Sequence, residues 1–273
     1  MFDLLQNLFS YTFITRAMII GVLVSLCAAL LGVSLVLKRY SMIGDGLSHV
    51  SFGALSIAVA FGWAPLPVSV PIVVAAAFFL LRISENSKVK SDAAIALISS
   101  SALAIGVAVM SLTSGMNTDV CNYLFGNILA MSNTDVYISV ALSVIVLVLY
   151  ILFYNRIFAV TFDENFAKAT GTKVGYYNML ISFLTAIMIV VGMRLMGAML
   201  ISSLIIFPAL SSMQVFKSFR KVIFSSAILS VVCFIVGMMI SFYFDTPTGA
   251  SIVIVNLIVF LGFTVSGKII YGK

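Results

Sequence analysis

The chain has 273 residues, 62% of them hydrophobic and 9% charged, with a mean hydropathy of +1.22. Soluble domains are about 45–50% apolar and about 25% charged, so this chain lacks the polar side chains to cover a water-facing globule, and it is too apolar to be disordered. The net charge of +6, from 15 Lys and Arg against 9 Asp and Glu, reads first as membrane topology, because cytoplasmic loops collect Lys and Arg, and not as a nucleic-acid footprint.

Residues 1–15 carry Asp3 and no basic residue, and Arg16 precedes an apolar run too long for a signal-peptide core. No cleaved signal is therefore expected, and that run reads as the first span. A helix needs about 20 mostly apolar residues to cross the hydrocarbon core. The sequence predicts spans at 17–37, 46–62, 68–81, 93–112, 135–153, 178–192, 196–213, 222–242 and 250–265. The second, third and sixth are short, which suits a broken, tilted or re-entrant segment.

The connections test this reading. Basic residues collect at Lys38 and Arg39, at Arg82, Lys88 and Lys90, at Arg156, Lys168 and Lys173, at Lys217, Arg220 and Lys221, and at Lys268 and Lys273. Two spans separate each group from the next, so all fall on one side, and the alternate connections hold only Arg194 among basic residues. The expectation is an all-α polytopic helical bundle of about nine spans, a single transmembrane domain over 1–273, with the N-terminus outside and the C-terminus cytoplasmic. Asp45, at the start of a span, belongs to neither side. Cys27, Cys121 and Cys233 form no C-x-x-C, and Cys27 and Cys233 read as small packing residues. Ala102 with Gly106, and Ala198 with Ser202, give the four-residue spacing of small residues that lets helices approach in lipid.

Asp45 stands four residues before His49, the sole histidine. On a helix the two lie on one face. Carboxylate and imidazole both bind divalent transition metals, and ionisable groups at membrane depth mark ion or substrate pathways. The competing reading makes Asp45 a helix N-cap between glycines and His49 an interfacial polar residue. One chain offers two ligands; two copies about a twofold axis would offer two carboxylates and two imidazoles, a set that suits zinc and tolerates manganese or iron(II). Further on, Asp163 is placed to N-cap a short helix that Gly171 closes, either a docking element or a helix on the membrane surface. Pro208 removes a donor inside the span 196–213 and predicts a kink there. Arg194 reads as an outer-interface anchor, and residues 244–251 as a tight external turn. The chain has no G-x-x-x-x-G-K-[ST] phosphate loop, no H-E-x-x-H and no G-x-S-x-G.

Four stretches resemble the metal-ion branch of ABC importer permeases, the zinc/manganese/iron uptake family. Gly44-Asp45-x-Leu47-Ser48-His49 resembles its G-D-x-L-S-H motif. Glu164-x-x-Ala167-x-x-x-Gly171 is similar to its coupling motif, departing at Asn165-Phe166. Gly197-Ala198-x-Leu200 through Phe207-Pro208-Ala209 resembles its G-A-L-L…P-A segment, and Asp245-Thr246-Pro247-x-Gly249 its P-x-G turn. The resemblance implies a homodimeric, multi-pass permease of a bacterial plasma membrane, not itself an enzyme. It also implies a cytoplasmic ATP-binding subunit and an external metal-binding protein as partners, with membrane lipid around it and no nucleic acid. It implies metal handling at Asp45 and His49, coupling through Asp163, Glu164, Ala167 and Gly171, and a pore or hinge role for Ser48 and Pro208. No cofactor is expected to stay bound; the cargo is Zn²⁺, with Mn²⁺ or Fe²⁺ as the alternative. Met193-Arg194-x-x-Gly197 together with Phe244-Asp245-Thr246-Pro247 looks closer to the zinc members. The rival classes are an ion-coupled secondary transporter, with Asp45 and His49 as a proton relay, and an intramembrane enzyme, disfavoured by the lack of any nucleophile–base pair beyond the one histidine.

Overall fold

A computed structural model describes residues 12–86, 91–113, 126 and 133–272. Its elements are α1 Thr12–Leu37, α2 Ser41–Ala60, α3 Pro65–Asn86, α4 Ser91–Thr113, α5 Asn133–Leu152, α6 Tyr154–Phe162, α7 Glu164–Ala169, α8 Val174–Met196, α9 Ala198–Val215, α10 Phe219–Phe244 and α11 Thr248–Tyr271. No strand occurs among the described residues. Eight helices are long and apolar enough to cross a membrane. A ninth span is reached if α5 is counted with α6, which leaves it at a 70° bend. Lipid offers backbone groups no partner, so a spanning segment satisfies them within its own helix. The expected all-α bundle of about nine spans agrees with the eight to nine found among the described residues.

The three short segments are not broken. α2, α3 and α8 are continuous helices of 20, 22 and 23 residues. Hydropathy trimmed their polar or proline-bearing first turns: Ser41 to Asp45 in α2, Pro65 to Pro67 in α3, Val174 to Tyr177 in α8. A proline in a first turn costs no hydrogen bond, because that N–H has no helical partner. The connection expected at 193–195 is also helical. Arg194 lies in the last turn of α8, half-buried among buried neighbours, and the chain turns at Gly197 alone. Gly197 has φ +84°, a conformation that costs a residue with a Cβ.

Helices α1, α2, α8 and α9 form the centre, and α3, α4, α10 and α11 surround it. Small residues mark where helix backbones approach closely. A Cβ on Gly53 of α2 would sit 2.8 Å from the Ala102 carbonyl oxygen of α4, and one on Gly106 would meet the Phe52 ring at 2.6 Å. A Cβ on Gly32 of α1 would lie 2.0 Å from the Ile205 carbonyl oxygen of α9. Cys27 and Cys233 are buried packing residues, and Cys27 Sγ donates to Ser143 O at 3.4 Å. Cys121 lies outside the described residues.

One end of the bundle gathers the connections read as basic. Lys38 meets Glu164 of α7. The Tyr154 and Phe158 rings pack on Phe219. Tyr271 donates to the Val215 carbonyl at 2.7 Å, and Lys217 sits 4.0 Å from the Tyr271 ring centroid. Leu81, at the edge of the 82–92 connection, lines a small crevice with Lys38 and Asn178. The alternation of basic and neutral connections is thus a real separation of the two ends.

Candidate functional site

α2 starts at Ser41, behind Tyr40, which makes no side-chain cap bond. Asp45 therefore lies in the second turn and is not the N-cap. At 1.5 Å per residue, Asp45 stands about 6 Å and His49 about 12 Å along a helix of about 30 Å. Their side chains share a face as the spacing requires: His49 Nε2 is 3.7 Å from Asp45 Oδ2. That is ion-pair reach but longer than a hydrogen bond. The Asp45 side chain is 46% exposed and that of His49 23%, while His49 Nδ1 is buried with no hydrogen-bond partner among the described residues. No group of three His, Cys, Asp or Glu side chains able to hold a metal occurs among the described residues. Each protomer thus offers two candidate ligands, Asp45 and His49, on one partly exposed face.

The residues beside this pair lock α2 against α9. Ser48 is fully buried; its hydroxyl donates to Gly44 O at 2.9 Å and lies 3.2 Å from Ser202 Oγ. Ser202 in turn donates to Ala198 O at 3.1 Å. Ser48 faces into the protomer, as a bridge between helices. α9 runs unbroken through Pro208, which is buried. The 245–249 turn is tied by side chains: Ser241 Oγ donates to Thr246 O at 2.6 Å, and Thr246 Oγ1 lies 2.7 Å from Ser251 Oγ.

The short helix in the long connection is α7. Asp163 caps it, accepting from the Asn165 and Phe166 backbone N–H groups at 2.9 Å each. At its other end Gly171, with φ +81°, donates to Lys168 O at 3.0 Å, and Thr172 donates to Ala167 O at 2.9 Å. These two bonds make a Schellman stop. Ala167 is buried against Val160 and Val174, whereas Phe166 is 66% exposed. An open depression of about 370 Å³ beside α7 is lined by Arg156, Gly171, Thr172, Lys173, Tyr176 and Tyr177.

Sequence reasoning missed how α7 is anchored. Glu164 Oε1 accepts from Lys38 Nζ at 2.7 Å and from Asn178 Nδ2 at 3.1 Å, and Lys38 Nζ also donates to Asn178 Oδ1. Burial pushes the Glu164 carboxyl up, but the bonds from Lys38 and Asn178 and the charges of Lys38 and Lys168 outweigh it and hold it below the ordinary carboxylate range. By composition Lys38 counts only as one more charge of the first basic connection. Its only local signal is its place directly after the apolar span 17–37, which Arg39 shares.

An all-helical spanning bundle with a carboxylate–imidazole pair inside one central helix, and a capped helix held off its basic end, has the build of a permease subunit. Residues 10–266 match the ABC 3 transport family, and the chain belongs to it. It is 29% identical to the manganese import system permease protein ScaB of Streptococcus gordonii, over 95% of this chain and 93% of that one. It is 28% identical to the high-affinity zinc uptake system membrane protein ZnuB of Haemophilus influenzae, over 90% and 94%. Its fold matches that of PsaBC from Streptococcus pneumoniae, solved in complex with Fab, with a TM-score of 0.86 and 30% identity over 96% of this chain and 94% of that chain. The chain is therefore a metal-transporting ABC permease, a membrane component and not an enzyme.

Proposed function

We propose that this permease imports Zn²⁺ as a homodimer, with Asp45 and His49 of both copies forming a transient four-ligand site on the twofold axis. The observation that carries this reading is the Asp45–His49 pair itself, at 3.7 Å on one face of α2, outward-facing and incomplete within a protomer. Two carboxylates and two imidazoles match the ligand preferences of zinc, and the unpartnered His49 Nδ1 leaves the imidazole free to choose its tautomer. A site completed only when two copies meet also binds weakly when they part, as a pathway requires. The zinc choice rests further on Met193-Arg194-x-x-Gly197 and Phe244-Asp245-Thr246-Pro247. Similarity to a manganese permease favours the second reading, Mn²⁺ or Fe²⁺ through the same site.

In this reading the protein lies in a bacterial plasma membrane, surrounded by lipid, with its basic end and C-terminus in the cytoplasm. An external metal-binding protein delivers the ion. A separate ATP-binding subunit docks on α7, where the exposed Phe166 ring and the neighbouring depression offer the contact. Pro208 and Ser48 sit on the helices that must move, as hinge and bridge. The test is uptake of radioactive zinc and manganese, in separate assays, by the assembled transporter carrying Asp45→Ala or His49→Ala. Loss of uptake with intact assembly supports the site, and undiminished uptake by the double variant overturns it. Growth rescue under metal restriction, by zinc or by manganese, decides between the two cargoes.

A further inference from the structure

We propose that Lys38 is a positioning residue that transmits displacement of α7 to α2, the helix that carries Asp45 and His49. This rests on the reading of α7 as the element that meets the ATP-binding subunit. The Lys38 side chain is only 5% exposed. An ammonium so buried is tolerated only where it is paired, and here its partners come from two other elements: Glu164 opens α7 and Asn178 lies in the first turns of α8. Because Asn178 also donates to Glu164, the three side chains close into a triangle in which each bonds to the other two. α7 otherwise packs on α6 and α8. The triangle is thus its polar link to α1.

From Lys38 the chain reaches α2 without slack. Lys38 N donates to Ser34 O, Arg39 N to Val36 O and Tyr40 N to Leu35 O, all at 2.8–3.1 Å, and Ile43 N returns to Tyr40 O at 3.0 Å. Arg39 holds φ +61°, a conformation rare for a residue with a side chain and kept only where surroundings impose it. Lys38 Nζ also lies 5.7 Å from the Tyr40 ring centroid. Asp45 follows seven residues after Lys38 on this stiff turn. A shift of α7 along its docking direction therefore pulls on the start of α2, while the Phe166 ring stays exposed on α7.

The experiment uses the permease assembled with its ATP-binding subunit in liposomes, reading metal uptake and ATP hydrolysis in the same preparation. For K38M the expected result is uptake down by about tenfold or more, the range of a lost coupling free energy, with hydrolysis and subunit assembly kept. The charge exchange K38E/E164K restores a substantial part of the uptake, because the Asn178 amide can flip to serve the reversed pair. Uptake by K38M within about twofold of the unchanged protein, or uptake and hydrolysis falling together without recovery in the exchange, overturns the proposal, the latter by making Lys38 a folding anchor only. F166D separates the two ideas. If the ATP-binding subunit still co-purifies with F166D, α7 is not its docking element and the transmission role falls with it; if K38M transports normally while F166D loses the subunit, docking stands and transmission alone fails.

Discussion

The central helices α1, α2, α8 and α9 bury 72, 72, 78 and 61% of their most apolar windows inside the protomer, whereas α3, α4, α10 and α11 bury 28, 22, 33 and 28%. The two least hydropathic spans, α2 and α9, are both central. Buried helices tolerate hydroxyls because neighbours satisfy them, as Ser48 and Ser202 do each other. The outer helices leave most of their surface to face something else, and carry large exposed aliphatics such as Leu97, Ile228 and Ile258. The residues proposed to carry transport follow the division. Lys38 ends α1, Asp45 and His49 lie on α2, Asn178 on α8, and Ser202 and Pro208 on α9. Low hydropathy singles out two of the four central spans, whereas α1, the most hydropathic, is central as well.

The strongest test of that contrast removes a ligand from the centre. Asp45→Ala or His49→Ala is expected to reduce uptake by more than about a hundredfold, beyond the 10–100-fold typical of losing a supporting partner of a metal ligand. Thermal stability in detergent should be unchanged or raised, since the change removes a half-exposed charge or an unpartnered imidazole nitrogen. A large fall in stability with the loss of transport would make the pair structural.

Packing gives the next largest effect. Gly32→Ala places a methyl group against the Ile205 backbone, which cannot rotate away. The expected cost is about 3 kcal/mol, the upper end for overpacking, with α1 and α9 forced apart. Gly262→Ala on α11 meets nothing within 4 Å and should change stability by less than about 1 kcal/mol, with any change favourable through helix propensity. Unfolding measured by denaturant in mixed micelles distinguishes the two. Equal effects would erase the distinction between inner and outer helices.

Much of this division was readable in the residues. The spans, the sidedness of the basic connections, the Asp45–His49 face, and both caps of α7 all follow from short-range patterns: apolar length, charge alternation, i to i+4 spacing, and Asp163 and Gly171 at helix ends. What stayed hidden depends on contacts between distant segments. Nothing local distinguishes Lys38, bonded to a glutamate 126 positions away, from Arg39, which carries the same charge beside it. The end of α8 misled for a related reason. Arg194 marks an interface by composition, but hydrogen bonding carries the helix past it to Gly197, where positive φ ends it. Ser48, one step of about 100° around α2 from His49, points into the protein against Ser202, a pairing across 154 positions that no local pattern announces.

Smaller effects are expected where α7 hangs from the centre. Asp163→Ala removes two accepted N–H bonds and should cost about 1 kcal/mol of local stability. Gly171→Ala forces a Cβ into a left-handed conformation at a similar cost of about 1 kcal/mol. Both leave the Lys38 triangle intact, so α7 should fray at its ends while the uptake-to-hydrolysis ratio holds. A changed ratio in either variant would move the transmission role from Lys38 to the helix caps.

The smallest effect is a pH dependence, and its sign follows from the depressed Glu164 carboxyl. A group whose pKa is lower folded than unfolded contributes stability that is present above its unfolded value and lost as pH falls through the folded one. α7 should therefore stay anchored from neutral pH down past about 4.3, the ordinary value for glutamate, and loosen only below it. Glu164 is more than a third exposed, so screening keeps the contribution modest. A spin label at Asn165, on the outer side of α7, should show constant mobility above that range and a rise beneath it. K38M removes the largest opposing influence and leaves the burial that pushes the carboxyl up, so its loosening should begin at a higher pH. An identical transition in K38M would mean that Asn178 and Lys168 alone hold the carboxylate, and that α7 is tied to α8 and not to the α1–α2 turn.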